Sequence, residues 1–312
     1  MVLVIILYAL FGFSFTIGKF ILQYSQPFFA VGARMTISGI LLLGYMYLGH
    51  WYGMYPRKKD LKYFVQLIFF NIFLPYTLRL WALQYIPASK ASLLFILSPF
   101  FTALFAYFFL RERLSLVKVL GLCIGFSGMI PILATGGSEE GARGLGFISI
   151  PELAIIIGVA SMSYSLIIIQ KLVKHKETPP YLVNGISMFY GGLLALGASS
   201  AFESSVFVQQ QEPVIKQGIL PLIGILSLQI LISNILCQNL RASLLKHYSS
   251  TFMSFASFLG PVFTSIYGYF LFGEEITWQF LASFSIVLAG LGIYHYDDHL
   301  ANKKHQILDT KK

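Results

Sequence analysis

Two positive charges stand inside apolar runs long enough to cross a bilayer: Lys19 in the run 3–22 and Arg34 in the run 28–48. A charge at membrane depth is costly and as a rule functional, since it must be paired, hydrated or used on a ligand. The chemistry open to a lysine and an arginine there is the binding of a carboxylate or a phosphate. A second reading stands beside it. Lys19 is near enough to the outer end of its run to snorkel to the interface, and Arg34 can donate to carbonyls of neighbouring helices.

Two further runs carry polar stripes. In the third, Asn71, Pro75 and Arg79 recur every four residues, so a helix places them on one face with Tyr76 beside them. Pro75 removes a backbone donor and can kink the helix, a device that cavities use. Arg79 lies in the outer third, where snorkelling competes with ligand binding. Trp81 and Tyr85 follow, placed either to stack on a planar substrate or to join an interfacial aromatic belt. In the eighth run, Ser227, Asn234, Gln238 and Arg241 are spaced by seven, four and three and share a face, with Gln229 and Ser233 next to it. Amides in hydrocarbon need partners, on neighbouring helices or on a ligand. The sixth run offers Ser161, Ser163 and Ser165 for interhelical hydrogen bonds and Tyr164 for a cavity, and the seventh adds Asn184. The candidate substrate-binding set is Lys19, Arg34, Asn71, Tyr76, Arg79, Trp81, Tyr164, Asn234 and Gln238.

Absences narrow the chemistry. None of the 13 acidic residues falls clearly inside a run, Glu152 at the outer start of the sixth being the nearest. The histidines, His50, His175, His247, His295, His299 and His305, sit at run ends or in the tail. Paired acids, a metal cluster, or a nucleophile with its base at one depth cannot be assembled. No catalytic residue, metal or cofactor is expected. A relay of buried carboxylates is missing too, which points to a facilitator or exchanger.

The elements that must position these residues follow from composition. Only 11% of the 312 residues are charged, 56% are hydrophobic, and the mean hydropathy is +0.73. A soluble domain carries about 25% charged residues, so the chain is expected to be an all-α membrane protein. Ten apolar runs of roughly 20 residues can be drawn, at 3–22, 28–48, 62–84, 88–110, 115–134, 151–171, 182–201, 218–240, 247–272 and 277–296. The net charge of +9 sits largely in short loops between runs, where it orients a membrane chain, so nucleic acid is set aside as a partner. The partners implied are the lipid bilayer and a small-molecule metabolite, with no obligatory protein partner evident. Cys123 and Cys237 lie inside runs and support no disulfide framework. The run from Val2 has neither a basic region ahead of it nor a cleavage site after it, and reads as a retained first span.

With the N-terminus cytoplasmic, sixteen Lys and Arg fall inside, Arg241 among them as a loop cation, and Lys90 falls at or near the outer side. Only Arg79, Lys90, Arg143 and Lys216 fall outside, so both termini are expected in the cytoplasm. The stretch PFFTALFAYFFLRERLS, Pro99 to Ser115, returns as PVFTSIYGYFLFGEEIT, Pro261 to Thr277, with eight identities over thirty positions when continued to Gly128 and Gly290. Five spans is an odd number, so the second copy enters the membrane from the opposite side. Glu112 and Glu274 then belong at opposite faces. The expected architecture is ten transmembrane helices as two inverted five-helix repeats: residues 1–135, an extracytoplasmic linker at 136–150, residues 151–296, and a basic cytoplasmic tail at 297–312. Carriers of this build bind their cargo near the midplane. Gly121, Gly125, Gly128, Gly290 and Gly292 are expected to let helices touch. The loop from Phe202 to Gln217 reads as a solvated connection.

Several stretches carry a likeness to a known family. They are the proline, aromatic helix and Glu112 to Ser115 hairpin, repeated at Glu274 to Thr277; Phe11-Gly12 followed by Lys19, where a Trp-Gly pair is more usual; Pro27 with Arg34; and Ala82 to Ser89. Together they resemble the drug/metabolite transporter superfamily in its EamA-like ten-helix branch, over nearly the whole chain. The resemblance implies a carrier in a bacterial inner or plasma membrane with a central cavity lined mainly by helices 1, 3, 4, 6, 8 and 9. Members carry amino acids, nucleotide sugars, nucleosides and cofactor-like metabolites. Cation, amide and aromatic chemistry suits an anionic or zwitterionic cargo with a planar part, such as an amino acid or an amino-acid-bearing nucleoside of the S-adenosylmethionine type, moved by alternating access. The rival readings are an exporter of drugs or amino acids and, of another class, a membrane-embedded enzyme or lipid flippase.

Overall fold

Backbone polar groups have no water to bind in hydrocarbon, so an apolar chain of this kind must satisfy them within its own helices. The computed structural model describes residues 2–49, 56–110, 115–128, 130–133, 149–203, 219–248, 250–273, 278–286, 288–290 and 292–293. Regular structure among them is helical: α1 (Val2–Ile21), α2 (Pro27–Leu48), α3 (Lys58–Ala82), α4 (Lys90–Phe109), α5 (Leu116–Ser127), α6 (Ile150–His175), α7 (Pro180–Phe202), α8 (Leu220–Leu244), α9 (Phe252–Phe272) and α10 (Trp278–Gly290). Eight of these are long and apolar enough to cross a membrane; α5 and α10 are shorter. The linker to residue 148, the loop from residue 204, Glu112, Glu274 and the basic tail lie outside the described residues.

Polar side chains are buried beside the apolar core while many large apolar ones face outward. Ser38, Asn71, Asn184, Gln229 and Asn234 are buried, whereas Phe108 and Phe270 are 65% and 77% exposed. That distribution fits a lipid solvent, in which packing and interhelical hydrogen bonds, not apolar burial, hold helices together. The closest packing is between α2 and α7. A β-carbon at Gly32 would stand 2.8 Å from the backbone nitrogen of Leu196, and one at Gly192 3.0 Å from the carbonyl of Gly32. Glycine alone lets these backbones approach so closely. Gly290 likewise meets the backbone of Gly121 and Gly125, so α10 touches α5 there, whereas Gly292 has open space.

Helix ends are held by the residue types that suit them. Pro27, Pro151 and Pro180 occupy first turns, where the missing N–H costs nothing. The carboxylate of Glu203, just past α7, accepts from the backbone of Phe28 at 2.6 Å and Phe29 at 3.0 Å, and so caps the positive end of α2. Ser149 and Glu152 form a capping box on α6.

Glu152 also answers the expectation about acids. It is 1% exposed and pairs with Lys90 at 2.5 Å, tying the start of α4 to the start of α6. Lys90, read from sequence as an outer loop cation, is itself 7% exposed. A second pair, Lys176 with Asp60, ties the other end of α6 to the start of α3. Breaking a buried pair strands the remaining charge. Glu152→Gln, which keeps the capping hydrogen bond, is expected to cost about 3 kcal/mol. The double change Lys90→Met with Glu152→Leu should recover most of that, except for the lost cap; thermal unfolding in detergent measures both.

Candidate functional site

The site is built where two helices lose their regular winding. In α3 the segment Ile68–Phe73 adopts wide π turns, ending just before Pro75. A proline ring collides with the carbonyl four residues back, here that of Asn71, and a widened turn makes the room. In α8 the segment Ile230–Cys237 does the same without a proline. Both segments carry an amide, Asn71 in α3 and Asn234 in α8, each fully buried.

From these turns a polar network spreads. Arg34 of α2 donates to Asn234 Oδ1 at 3.2 Å, and Asn234 Nδ2 donates to the Ser38 hydroxyl at 2.9 Å. Arg241 of α8 donates to Gln238 Oε1 at 2.6 Å and to Asn71 Oδ1 at 3.3 Å, which also accepts from Ser165 at 3.0 Å. Gln238 in turn donates to the Tyr76 hydroxyl. Tyr76 is the hub: Arg34 stands 5.0 Å and Arg79 4.9 Å from its ring centroid. Arg79 also lies 4.6 Å from the Phe15 ring, and Arg241 5.7 Å from that of Phe11.

Three guanidiniums are thus buried together, with Arg34, Arg79 and Arg241 at 0%, 4% and 5% exposure. No carboxylate among the described residues faces them: Asp60 and Glu152 are paired elsewhere, Glu203 caps α2, and Glu177 is exposed. Nε and one terminal nitrogen of both Arg34 and Arg79 have no hydrogen-bond partner among the described residues, nor does Nε of Arg241. Buried cations without an anion cost the fold free energy, and a bound anion would relieve that cost.

Beside the network lies a cavity of about 70 Å³. Its wall comes from α1 (Tyr8, Phe11, Gly12, Phe15), α3 (Tyr76, Arg79), α4 (Ser92, Phe95, Ser98), α6 (Met162, Leu166), α8 (Arg241) and α9 (Ser254, Ser257, Gly260, Pro261). These are the six helices that the resemblance implies. A cavity of that size admits water but falls short of the ~300 Å³ a metabolite pocket needs, so the helices must part to admit a cargo. Four pairs of wall positions, Arg79 and Arg241, Ser92 and Ser254, Phe95 and Ser257, Ser98 and Gly260, recur at 162 residues, the interval that separates Pro99 from Pro261. Tyr76 and Gln238, bonded to each other, stand at the same interval, as do the first residues of the two π segments.

Of the sequence candidates, Arg34, Asn71, Tyr76, Arg79, Asn234 and Gln238 come together here. Three do not. Lys19 ends α1 partly buried, its ammonium 5.1 Å from the Phe272 ring. Trp81 lies tilted against Tyr85, ring centroids 5.2 Å apart, and lines a separate, wider cleft of about 640 Å³ with Gln84, Pro27 and Glu203. Tyr164 joins an aromatic cluster with Phe70, Phe105 and Phe109, at 5.5, 5.8 and 5.2 Å. The serines of α6 bond between helices, Ser161 to the Phe70 carbonyl at 2.7 Å and Ser163 to Ser98 at 3.1 Å. Sequence reading counted Arg241 as an inner loop cation and left the aromatic residues of α1 and Phe95 out of the site. Carrying the repeat interval back from Pro99 would have found Arg241 opposite Arg79.

Comparison with known proteins places this geometry. A solved crystal structure superposes with a TM-score of 0.65 at 17% identity, covering 93% of each chain, and shares the fold. A protein of Chlamydia muridarum named S-adenosylmethionine/S-adenosylhomocysteine transporter is 29% identical over 91% of this chain and 88% of its own. Its namesake in Chlamydia trachomatis serovar L2 is 29% identical over 91% of this chain and 85% of its own. The uncharacterized transporter YvbV of Bacillus subtilis is 24% identical over 90% and 86%. The EamA-like transporter family matches residues 1–134 and 149–295, and with nearly the whole chain so covered, this protein belongs to the EamA-like transporter family.

Proposed function

We propose that this transporter is an alternating-access carrier of an amino-acid-bearing nucleoside of the S-adenosylmethionine and S-adenosylhomocysteine type. It acts as a facilitator or exchanger in a bacterial inner membrane, with both termini cytoplasmic. The observation that carries the reading is the group of three buried guanidiniums with no facing carboxylate among the described residues, set against an aromatic wall. A cargo with an α-carboxylate supplies the missing anion, and its purine ring suits the rings of Tyr8 and Phe95, the two on the wall that hold no guanidinium among the described residues. The names of the chlamydial relatives point to the same class.

The machine we propose is ten transmembrane helices in two inverted repeats. Support comes from the shared interval of 162 residues, which relates the π segments, the two cavity arginines and the Tyr76 to Gln238 contact. Equivalent positions meeting at one cavity are what a pseudo-twofold axis in the membrane plane produces. The described cavity wall carries no carboxylate to relay a proton, which suits exchange.

Proteoliposomes preloaded with unlabelled S-adenosylhomocysteine are expected to take up the labelled compound saturably, with competition from other adenosyl amino acids. Uptake no faster than in empty liposomes, with no competition by any amino acid, nucleoside or anionic metabolite, would overturn the cargo class.

A further inference from the structure

The two compounds named for the chlamydial relatives differ by one methyl group and one charge. The thioether carries only the zwitterionic head, whereas the sulfonium adds a fixed positive charge that no pH removes. We infer that this transporter selects between these charge states, holding the neutral thioether at least tenfold more tightly than the sulfonium. The inference rests on the cargo class proposed above and concerns the same cavity.

Three features of the cavity support it. The first is the sign of its charge. Arg79 and Arg241 are both on the wall and Arg34 lies behind Tyr76, with no carboxylate among the described residues to offset them. One carboxylate on the cargo offsets one of these three charges, so a second cation on the cargo still meets a positive field. Exclusion of water strengthens that repulsion.

The second is the state of the rings. A sulfonium is welcomed where aromatic faces form a cage for a cation. Five aromatic residues line the cavity, and three of them, Phe11, Phe15 and Tyr76, already hold a guanidinium within 5.7 Å of the ring centroid. Phe95 packs edge-on against Phe15 at 5.0 Å. The electron-rich faces are therefore largely spent on the protein's own cations.

The third is a division of labour between the arginines. Arg241 is held by Gln238 and Asn71, while Nε and a terminal nitrogen of Arg79 have no partner among the described residues. Arg79 is the group left to take the cargo's carboxylate by charge-assisted hydrogen bonds. Arg241, fixed in place, contributes charge that the cargo does not neutralise.

The full-length protein in proteoliposomes, exchanging labelled S-adenosylhomocysteine, tests this through three competitors: the unlabelled thioether, S-adenosylmethionine, and the sulfoxide of S-adenosylhomocysteine. The sulfoxide is neutral but carries an oxygen where the sulfonium carries its methyl, so it controls for bulk. The expected result is inhibition by thioether and sulfoxide within threefold of each other, and by the sulfonium at least tenfold weaker. Equal inhibition by sulfonium and thioether overturns the inference. So does a sulfoxide as weak as the sulfonium, which would make size the criterion. Failure of all three to compete overturns the cargo class and the inference with it. Arg241→Gln keeps a hydrogen-bonding group beside Gln238 and Asn71 and removes the charge. In that variant the ratio of sulfonium to thioether inhibition constants, which does not depend on the folded fraction, should fall at least threefold; an unchanged ratio overturns the charge mechanism.

Discussion

Replacing Arg79 by methionine is expected to lower transport about a hundredfold while leaving the protein as stable as before or more so. The two effects part because the guanidinium is buried, 4% exposed, with two nitrogens that no group among the described residues satisfies. For the fold it is an uncompensated charge in a low-dielectric interior. An unbranched side chain of similar length and no charge keeps contact with Phe15 and Tyr76 and removes that penalty. For the cargo the same guanidinium is the partner of a carboxylate. Loss of a charge-assisted, desolvated contact costs about 2–5 kcal/mol of binding, and about 2.7 kcal/mol already corresponds to a hundredfold. Exchange in proteoliposomes and thermal unfolding in detergent, measured on one preparation, separate the two readings. Transport within threefold of the native protein removes Arg79 from the site. A fall in unfolding temperature alongside the lost transport assigns it a structural role.

The second large effect concerns assembly. Gly32→Leu in α2 is expected to abolish recovery of monodisperse protein, whereas Gly44→Leu in the same helix should be neutral or mildly stabilising. A β-carbon at Gly32 would lie 2.8 Å from the Leu196 backbone nitrogen and 2.7 Å from its Cγ, and a backbone cannot yield without separating α2 from α7. Overpacking of this kind costs about 1–3 kcal/mol when side chains can repack and more when they cannot. At Gly44 nothing lies within 4 Å of the added carbon, and leucine gains up to about 1 kcal/mol in helix propensity. Size-exclusion profiles of the two variants decide the matter. Equal recovery would mean that the α2 to α7 contact is looser than its geometry.

The two effects draw on different information. Gly32 is one of 27 glycines, and nothing in its neighbours along the chain distinguishes it from Gly44. What does is the helix that lies across it. Lys90 and Glu152 are 62 residues apart in number, yet their pairing depends on two helix ends meeting. Lys19 and Arg34 looked alike as intramembrane cations; α1 carries Lys19 out to Phe272, while α2 turns Arg34 toward Tyr76 and Asn234. Spacing along the eighth run put Arg241 on one face with Asn234 and Gln238, while the rule about loop charges counted it as an inner cation; the structure turns it inward, to Gln238 and Asn71.

The membrane class and the positions of the long helices were legible in the chain, because the need to satisfy backbone groups in hydrocarbon is local and depends on runs of about 20 residues. So was the polar face of α3, since a spacing of four is a property of one helix; Pro75 announced a kink, and the structure shows a widened turn just before it. The matching turn in α8 had no proline to announce it, and only the tertiary structure revealed it. It was also tertiary structure that drew Tyr8, Phe11, Phe15 and Phe95 to the cavity, left Trp81 and Tyr164 elsewhere, and set three guanidiniums together with no carboxylate facing them among the described residues. The physical reason is that a helix dictates which residues share its face, whereas what that face meets is decided by helices far away in the chain.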